Sequence, residues 1–420
     1  MAEMITNDDA QYAYDIVKTI CTEVGPGLPG TLQERERAAV IGKELESHLG
    51  AGNVVVEEFT VAPGALLGGL PISAFMILVA ALLNISVGRT SGVLPWLAAI
   101  AALVFSILPL LSFVLEFLLG REFVDQFLKK KQSVNVIGTL RSPGAKSVKR
   151  LLILSGHHDS ALEHTWLRLL GYGFFVAAAT LLIGFVAMPV MSIIQLTGLI
   201  AGSPGILHTG TLGWPMLVYP IVPCIISALF FSGGRKNGGI VPGAVDNLSG
   251  SALAVALCRF LVKNPSYIPD DTEIRFISFG SEEAGLRGSR RYAERHLEEL
   301  KHLDARVLNF EMVAHPEIGI LTSDANGTVK HSPEMVESAV AAAERAGVPY
   351  KVTSASLGTG TDAAPFSQAG LKATALLPFR FPQQWLTFYH QRSDGPEALT
   401  IEPLLNVLKL AFEWVRNGGE

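Results

Sequence analysis

Apolar residues are concentrated in two blocks of the chain, at 66–120 and 167–231, whereas polar and apolar positions alternate elsewhere. Each block divides into two runs with at most one charged residue, and the four runs are 66–87, 93–119, 169–194 and 213–231. As a helix, the first run would be about 33 Å long, enough to cross a hydrocarbon core of about 30 Å. The pattern predicts four transmembrane helices in two hairpins.

Basic residues flank the outer ends of both predicted hairpins, and these are Arg121, Lys129, Lys130, Lys131, Arg168, Arg235 and Lys236. The two hairpin tips carry only Arg89. By the positive-inside rule, this asymmetry predicts a multi-pass membrane protein whose polar remainder and both termini are cytoplasmic. The polar, acidic N-terminus has no basic segment followed by an apolar one, so no cleavable signal peptide is expected.

The polar remainder alternates helical and strand-like segments. Helical periodicity covers 8–24, 32–49, 249–263, 286–300, 332–346 and 401–416, and strand-like runs cover 53–61, 133–140, 149–155, 273–279, 306–313, 317–322 and 371–377. This alternation predicts one α/β domain with helices on both faces of its sheet. The hairpins at 66–120 and 167–231 would then divide a catalytic domain into the parts 1–65, 121–166 and 232–420.

The second predicted hairpin follows the carboxyl end of the strand at 149–155. Ligands of open α/β sheets bind beyond the carboxyl ends of the strands. We therefore expect the active cleft to face the membrane surface.

The overall composition agrees with a chain that is part membrane protein and part enzyme. Hydrophobic residues make up 49% and charged residues 17% of the chain, and the mean hydropathy is +0.37, whereas soluble domains carry about 25% charged residues. The net charge of −5 argues against nucleic-acid binding. Cys21, Cys224 and Cys258 are far apart and odd in number, so they indicate neither a disulfide framework nor a metal motif.

Histidines and carboxylates recur in five short segments, most of which follow predicted strands. The candidates are His157, His158 and Asp159; Asp246 and Asn247; Glu282 and Glu283; Glu311; and His390 and Asp394. Each segment alone has an ordinary structural explanation, such as a hydrogen-bonded histidine or a helix cap. Glu311 is harder to explain in this way, because it lies in an apolar strand and a buried carboxylate needs a partner. Together, the five segments indicate a single site.

The wording and order of these segments resemble the co-catalytic zinc aminopeptidases of metallopeptidase family 28, which also includes glutamate carboxypeptidase and glutaminyl cyclase relatives. The matching segments are LLILSGHHDS, VPGAVDNLSGSA, IRFISFGSEEAGLRGS, VLNFEMV and FYHQRSDG. The resemblance covers nearly all of the polar remainder, including the opening helix in GPGLPGTLQERERAAVIGKELESHL. It implies a mixed, mostly parallel sheet and two Zn²⁺ ions. The two hairpins lie outside the family's pattern.

The resemblance also implies a role for each candidate residue. The implied zinc ligands are His157 and Glu311 on one ion, Glu283 and His390 on the other, and Asp246 as the bridge between them. Glu282 would be the general base, and a metal-bridged hydroxide would attack the amide carbonyl. Asp159 and Asp394 would orient the histidines or their surroundings. These roles together describe a metallo-exopeptidase.

Two residues depart from the family's usual pattern, and two others are candidates for substrate binding. Glu311 stands where many of these aminopeptidases have Asp, which leaves aminopeptidase and carboxypeptidase specificity both open. His158 stands where aromatic residues are common and is interpreted as a wall of the cleft. Asp362 would order its loop or bind a substrate amine. Arg380 could pair with a substrate carboxylate; a structural or surface role for both is equally consistent with the sequence.

Three functions remain open from the sequence. The leading one is a membrane-embedded di-zinc exopeptidase, most similar to aminopeptidases, that acts on short or membrane-associated peptides. The second is a zinc amidohydrolase of lipid-linked or N-acyl amino acid amides, because a hairpin is inserted beside the cleft. An inactive membrane scaffold is disfavoured, because the ligand set is intact. The expected partners are the amide substrate and membrane lipid.

The sequence leaves several properties undecided. The same ligands also accept cobalt or manganese, and a homo-oligomer is one of the open oligomeric states. Glu116, near the end of the second run, either contacts substrate or only reaches the membrane interface.

Overall fold

The computed structural model describes residues 4–66, 68–142, 147–203, 210–230, 239–355 and 358–420 of the chain. Arg235 and Lys236, two of the predicted flanking charges, lie outside this part. The chain forms two compact units. One comprises Met1–Pro63, Lys129–Leu162 and Ile240–Glu420, and the other comprises Gly64–Leu128 and Glu163–Gly239.

The helices and strands follow the predicted alternation along the chain. The helices are α1 (Asn7–Thr19), α2 (Leu32–Leu49), α3 (Leu70–Val87), α4 (Leu94–Ser112), α5 (Thr165–Leu170), α6 (Gly173–Ile200), α7 (Gly210–Phe230), α8 (Ser249–Lys263), α9 (Arg287–Arg295), α10 (Leu297–His302), α11 (Pro333–Ala346), α12 (Ala363–Gln368), α13 (Gln383–Thr387) and α14 (Ile401–Arg416). The strands are β1 (Val54–Val61), β2 (Lys131–Arg141), β3 (Arg150–His157), β4 (Thr272–Phe279), β5 (Arg306–Phe310), β6 (Ile318–Leu321), β7 (Ser323–Asp324), β8 (Val329–Lys330), β9 (Tyr350–Thr353) and β10 (Lys372–Leu377).

Eight strands form the central sheet of the first unit, in the order β1-β2-β4-β3-β5-β10-β6-β9. The central strands β4, β3, β5 and β10 are parallel to one another, and β6 is parallel to β9. The pairs β1–β2, β2–β4 and β10–β6 are antiparallel. The sheet is therefore mixed and mostly parallel, as predicted. Its parallel centre brings the carboxyl ends of three successive neighbours, β4, β3 and β5, to one edge.

Helices cover both faces of this sheet, because its central strands are apolar on both sides. One face packs against α1, α2, α8, α11 and α14, with Ile41 and Leu253 among the buried side chains. The other face packs against α9, α10 and α12, with Tyr292, Leu300 and Phe366 in its core. These two layers confirm the predicted α/β class.

Helix α8 lies unusually close to strand β3 at the end that carries the first predicted ligand. A Cβ atom added to Gly156 would lie 2.6 Å from the carbonyl carbon of Gly250 and from the backbone nitrogen of Ser251. Only glycine allows this approach. The contact brings the start of α8, and the turn that precedes it, beside the carboxyl end of β3.

Two predicted elements differ from their patterns, since one is divided and the other ends early. The helix predicted over 286–300 is divided at His296, whose φ and ψ of −105° and 9° separate α9 from α10. The strand predicted over 306–313 ends at Phe310, and Met312 has a φ of 47°. An extended strand cannot contain this left-handed conformation, so the chain turns just after Glu311.

Among the described residues, four helices are long and apolar enough to cross a membrane, and these are Leu70–Val87, Leu94–Leu118, Gly173–Ile200 and Ala244–Lys263. The first three belong to the second unit and correspond to predicted spans. The fourth is α8 with its preceding turn, and 89% of its apolar window is buried in the structure, where it packs against the sheet. The predicted span at 213–231 corresponds instead to α7, whose apolar stretch Pro215–Leu229 is shorter; Phe231 lies outside the described residues.

Two polar side chains of the second unit form hydrogen bonds between its helices. The Asn84 amide donates to the Ser192 hydroxyl (2.9 Å), and the Tyr219 hydroxyl donates to the carbonyl of Thr180 (2.8 Å). Many large apolar side chains are instead exposed, among them Phe75 and Val176. Exposed apolar side chains and polar contacts between helices are features that a lipid environment favours.

Glu116 is buried in the last helical segment, Phe113–Leu118, of the second span. Its Oε2 accepts hydrogen bonds from the backbone N–H groups of Phe123 (2.8 Å) and Val124 (3.0 Å). These contacts give Glu116 a structural role at the end of the helix, which the sequence did not indicate.

Candidate active site

The candidate residues gather at the edge of the sheet where strands β4, β3 and β5 end. His157 is the last residue of β3 and pairs in register with Phe279, the last residue of β4. Glu282 and Glu283 follow β4 after a short turn, and Glu311 follows β5 directly. Parallel neighbours end at the same edge of a sheet, so the topology alone brings these side chains together.

His157, Asp246 and Glu311 form one cluster of potential metal ligands. The Nε2 atom of His157 lies 3.2 Å from Oδ1 of Asp246 and 3.5 Å from Oε1 of Glu311. The same nitrogen lies 3.6 Å from Oε2 of Glu282. One ligand atom of each of His157, Asp246 and Glu311 lies within 4.8 Å of the other two, a spacing that one cation can share.

Asp246, Glu283 and His390 form a second cluster. The Nε2 atom of His390 lies 3.2 Å from Oε2 of Glu283 and 3.5 Å from Oδ2 of Asp246. Asp246 thus presents one carboxylate oxygen to each histidine. The two clusters share this residue. A third group of potential ligands, His157, Glu282 and Glu283, also connects them.

The donor set fits divalent metal ions. Neither ring nitrogen of His157 has a hydrogen-bond partner among the described residues, and neither does Oε1 of Glu283, although all three atoms are buried. Buried polar atoms are normally satisfied. Imidazole and carboxylate ligands are those that Zn²⁺ takes in catalytic sites, so a pair of zinc ions would satisfy Nε2 of His157 and Oε1 of Glu283.

The electrostatics of the site point to the same conclusion. Burial raises the pKa of Glu311 to about 8 and raises the pKa of Glu283. Burial lowers the pKa of His390, but Glu283 and Asp246 outweigh it and raise that pKa to about 10. Carboxylates crowded in a buried site favour a cation among them, because positive charge offsets their mutual repulsion.

Asp159 links the loops that carry three of the other candidates. Its Oδ1 atom lies 3.3 Å from Nδ1 of His157 and accepts a hydrogen bond from the backbone N–H of Glu282 (3.1 Å). Its Oδ2 accepts from the backbone N–H of Glu283 (3.0 Å). A carboxylate on the far nitrogen of a ligating histidine fixes the orientation of the ring.

Asp394 supports the bridging residue. Its Oδ1 accepts from the backbone N–H of Val245 (2.6 Å), and its Oδ2 accepts from the N–H of Asp246 (3.3 Å). These bonds orient the turn that presents Asp246, so Asp394 acts on the surroundings of the site through that turn.

Three residues in or beside the segments that supply candidate ligands have a left-handed backbone conformation. Ser281, just before Glu282, has a φ of 55°, Met312 after Glu311 has 47°, and His390 itself has 49°. This conformation is costly for residues other than glycine and concentrates at functional sites. Here it occurs in or beside three of the segments that supply candidate ligands.

The other three candidates lie in different surroundings. His158 is buried, and its Nδ1 bonds to the Ser278 hydroxyl of β4 (2.8 Å), so it packs against the sheet. Asp362 is completely buried at the start of α12. Arg380 is exposed, and among the described residues no ion pair of its side chain is found; its backbone N–H donates to Oε1 of Gln384 (2.7 Å).

Sequence reasoning missed several residues that hold the site together. Asn309 of β5 donates to Oε2 of Glu311 (3.2 Å). Residues two apart in an extended chain point to the same side, so this spacing was the feature of the sequence that could have indicated the contact. Glu34 of α2 accepts hydrogen bonds at Oε1 from the hydroxyls of Ser281 (2.8 Å) and Ser133 (2.9 Å). Burial raises the pKa of Glu34 to about 8. Glu34 belongs to a helix rich in charge, where nothing in the pattern distinguishes a buried charge from exposed ones.

Comparison with known proteins gives a family match for part of the α/β unit. Residues 231–415 match the family model described as peptidase family M28. Aminopeptidase YwaD of Bacillus subtilis (strain 168) is 34% identical over 171 residues, which cover 39% of this chain and 35% of that protein. An aminopeptidase of Pseudomonas aeruginosa (strain UCBPP-PA14) is 37% identical over 87 residues, covering 21% of this chain and 16% of its own. The chain thus spans about a third or less of these relatives.

Solved structures show the same fold at low sequence identity. A zinc aminopeptidase from Bacillus subtilis superposes with a TM-score of 0.56 at 17% identity, covering 97% of this chain and 95% of that chain. A glutaminyl cyclase from Fimbriiglobus ruber gives a TM-score of 0.53 at 14% identity, with coverages of 99% and 96%. The fold is that of a solved zinc aminopeptidase. The segment 231–415 of the α/β unit matches peptidase family M28, in agreement with the family that the motifs resemble.

Proposed function

We propose that this protein is a membrane-embedded di-zinc aminopeptidase that removes amino-terminal residues from peptides. The observation that carries the proposal is the pair of ligand clusters joined by Asp246, with His157 and Glu311 on one side and Glu283 and His390 on the other. A carboxylate with one oxygen toward each of two histidines is suited to bridging two cations.

Bound zinc would polarise the scissile carbonyl and acidify the attacking water. Glu282 is the proposed general base. Its side chain is 12% exposed, compared with 0% for His157 and 4% for Glu311, so it is the more accessible to water and substrate. Burial and the neighbouring carboxylates raise the pKa of Glu282 well above its usual range, which favours a group that takes a proton from water and gives it to the leaving amine.

Asp362 favours a substrate with a free amino terminus. Neither oxygen of this completely buried carboxylate has a hydrogen-bond partner among the described residues. The nearby Ser289 hydroxyl donates instead to the carbonyl of Leu286 (3.3 Å). Burial raises the pKa of Asp362 to about 7, as expected for a carboxylate that lacks a cation. A substrate ammonium group would supply that cation, whereas an N-acylated substrate would not.

The apolar helices of the second unit support the proposed membrane location. The basic residues that flank the predicted hairpins favour a catalytic domain on the cytoplasmic side, with both termini there. A reporter fused to either terminus should therefore be found inside the cell.

A substrate panel tests the proposed activity. The protein, purified in detergent, is assayed with aminoacyl nitroanilides, the same compounds acetylated on nitrogen, and N-acyl amino acids. We expect hydrolysis of the free-amine compounds at a kcat/KM about 100-fold or more above the blocked ones, because a charged hydrogen bond to substrate contributes up to about 3 kcal/mol. Hydrolysis of only the blocked or acylated compounds would reject the aminopeptidase and favour the lipid-amide hydrolase.

The variant Asp362→Asn tests the basis of this preference. It keeps the shape of the side chain but removes its charge, so KM for free-amine substrates should rise about 10-fold or more, with a smaller change in kcat. The matched control is Asp271→Asn, which alters an exposed carboxylate paired with Lys149. An equal loss on free-amine and blocked substrates would show that Asp362 does not recognise the amine.

A further inference from the structure

Arg37 of α2 is a completely buried arginine that joins three separate loops of the α/β unit. Its Nε donates to the carbonyl of Gly25 (2.7 Å), its Nη1 to that of His158 (3.1 Å) and its Nη2 to that of Pro242 (2.5 Å). The guanidinium group is planar and its donors diverge, so it can serve three carbonyls at once. A lysine ammonium group in the same place lacks this fork.

Two of these carbonyls lie beside proposed zinc ligands. His158 follows His157 directly, and Pro242 begins the turn that presents Asp246. In the sequence, the second apolar insertion separates these two loops, because it occupies Glu163–Gly239. The chain therefore leaves the catalytic domain just after one ligand and returns just before the other.

Backbone contacts join the two ends of this insertion. The two loops that Arg37 contacts lie beside these contacts along the chain. The N–H of Val241 donates to the carbonyl of Ala161 (3.0 Å), and Leu162 and Ile240 form an isolated antiparallel bridge. The bonds of Arg37 to His158 and Pro242 come next toward the ligands. They connect the segment just after His157 with the segment just before Asp246.

The packing around Arg37 leaves little room for adjustment. A Cβ atom added to Gly243, whose φ is +71°, would lie 2.8 Å from Cβ of Ser160, 2.9 Å from the carbonyl oxygen of Asp246 and 3.3 Å from Nη1 of Arg37. The Ser160 hydroxyl accepts from the N–H of Gly27 (2.9 Å). The turn of Asp246, the loop of His157 and the loop before α2 therefore meet at this arginine without space between them.

We infer that Arg37 is a positioning residue for the metal centre: it fixes the two ends of the second insertion so that His157 and Asp246 keep the spacing that zinc requires. The inference rests on the proposed di-zinc site. It assigns to Arg37 no contact with substrate, and its effect on activity passes through the metal. A domain interrupted between two ligands needs such a connection, because the long insertion cannot itself hold the ligands in register.

The first test is Arg37→Lys in the full-length protein, with Arg35→Lys as the control on an exposed position of the same helix. Zinc affinity is measured by competition with a chelator, beside kcat, KM and the unfolding temperature. We expect zinc to bind about 10- to 100-fold more weakly, the range for residues that support a ligand. Excess zinc should restore much of kcat, while KM measured at saturating zinc stays close to that of the wild type.

The second test moves the loop and leaves the arginine in place. Gly243→Ala should crowd Ser160 and Arg37 and weaken zinc binding in the same way. Gly347→Ala is its control, because Gly347 has a similar φ of +65° with open space around it and reports the cost of the backbone conformation alone. Gly243→Ala also crowds the carbonyl oxygen of Asp246, so weaker zinc binding in this variant alone does not assign the effect to Arg37. If Arg37→Lys fails to fold, unchanged zinc binding in Gly243→Ala still overturns the inference.

The outcomes separate the inference from the proposed function. If the wild type binds no zinc, the proposed function fails. If the wild type binds zinc and the folded Arg37→Lys and Gly243→Ala variants bind it equally well, even with a lower unfolding temperature, Arg37 is only structural and the inference is overturned. Weakened zinc binding in these variants, with both controls unchanged, supports it.

Discussion

Replacing Glu282 with glutamine should abolish most of the activity while leaving the metal in place. Glu282→Gln keeps the size of the side chain but removes the group that accepts a proton, so kcat should fall about 10²- to 10⁴-fold, the usual contribution of a general base. The zinc content should stay at about two ions per chain, because the closer carboxylate contacts of the two histidines are made by Asp246, Glu283 and Glu311. Metal analysis and single-turnover kinetics on one preparation measure both quantities.

The matched control for this variant is Glu317→Gln. Glu317 is an exposed carboxylate whose ion pair with Lys351 spans 3.3 Å, and exposed pairs contribute little to stability. The structure leaves one other role for Glu282, since it also lies in a potential ligand group with His157 and Glu283. Loss of zinc from Glu282→Gln would assign it to the metal, and retained activity would remove it from the mechanism.

Replacing Asp246 with asparagine should disrupt both halves of the metal centre. The amide keeps one oxygen acceptor but loses the charge and the second ligand oxygen, whereas the structure places one oxygen toward His157 and the other toward His390. We expect the zinc content of Asp246→Asn to fall below about one ion per chain. We also expect kcat/KM to fall by more than about 100-fold, the upper end for residues that only support a ligand.

Asp8→Asn provides the comparison for this change. Asp8 is exposed in the first turn of α1, where its removal affects only a weak interaction with the helix dipole. Two zinc ions retained in Asp246→Asn would show that the carboxylate does not bridge. Loss of only one ion, with the other bound as tightly as before, would assign Asp246 to a single metal.

The catalytic domain is unusual in being interrupted twice by apolar segments, one of which falls between two proposed ligands. Its eight strands nevertheless form one continuous sheet. A site built at strand ends tolerates such insertions, because loops beyond the carboxyl ends can lengthen while the strands stay paired. Asp159, Asp394 and Arg37 show how side chains then keep the loops in place.

Much of the fold could be predicted from local pattern. Helices α2, α8 and α14 have the bounds that periodicity indicated, and β3 and β4 differ only at their ends. The same kind of pattern could not distinguish α8 from a membrane span by hydropathy alone. Both are long and apolar, and only burial against the sheet identifies α8 as a core helix. Periodicity reports that a face is apolar, not whether protein or lipid covers it.

The residues of the candidate site could be predicted, because each lies in a segment whose sequence resembles a known family. The contacts that hold these residues in place were harder to predict. Asp159 was expected beside His157, but its bonds to the backbone of Glu282 and Glu283 join segments far apart in the chain. Asp394 was expected to orient His390 or its surroundings, and its bonds to the turn of Asp246 again join segments far apart in the chain. Such contacts depend on strand order, which periodicity does not contain.

The sequence by itself determined the elements, the apolar insertions and the candidate ligands, since these follow from local composition and spacing. Only the tertiary structure decided which candidates meet, because strands β4, β3 and β5 are neighbours in space but not in the chain. It also decided that Glu34 and Arg37, two charges in an outwardly ordinary helix, are buried at the site. A buried charge is stabilised by partners that arrive from distant loops, so no local pattern can mark it.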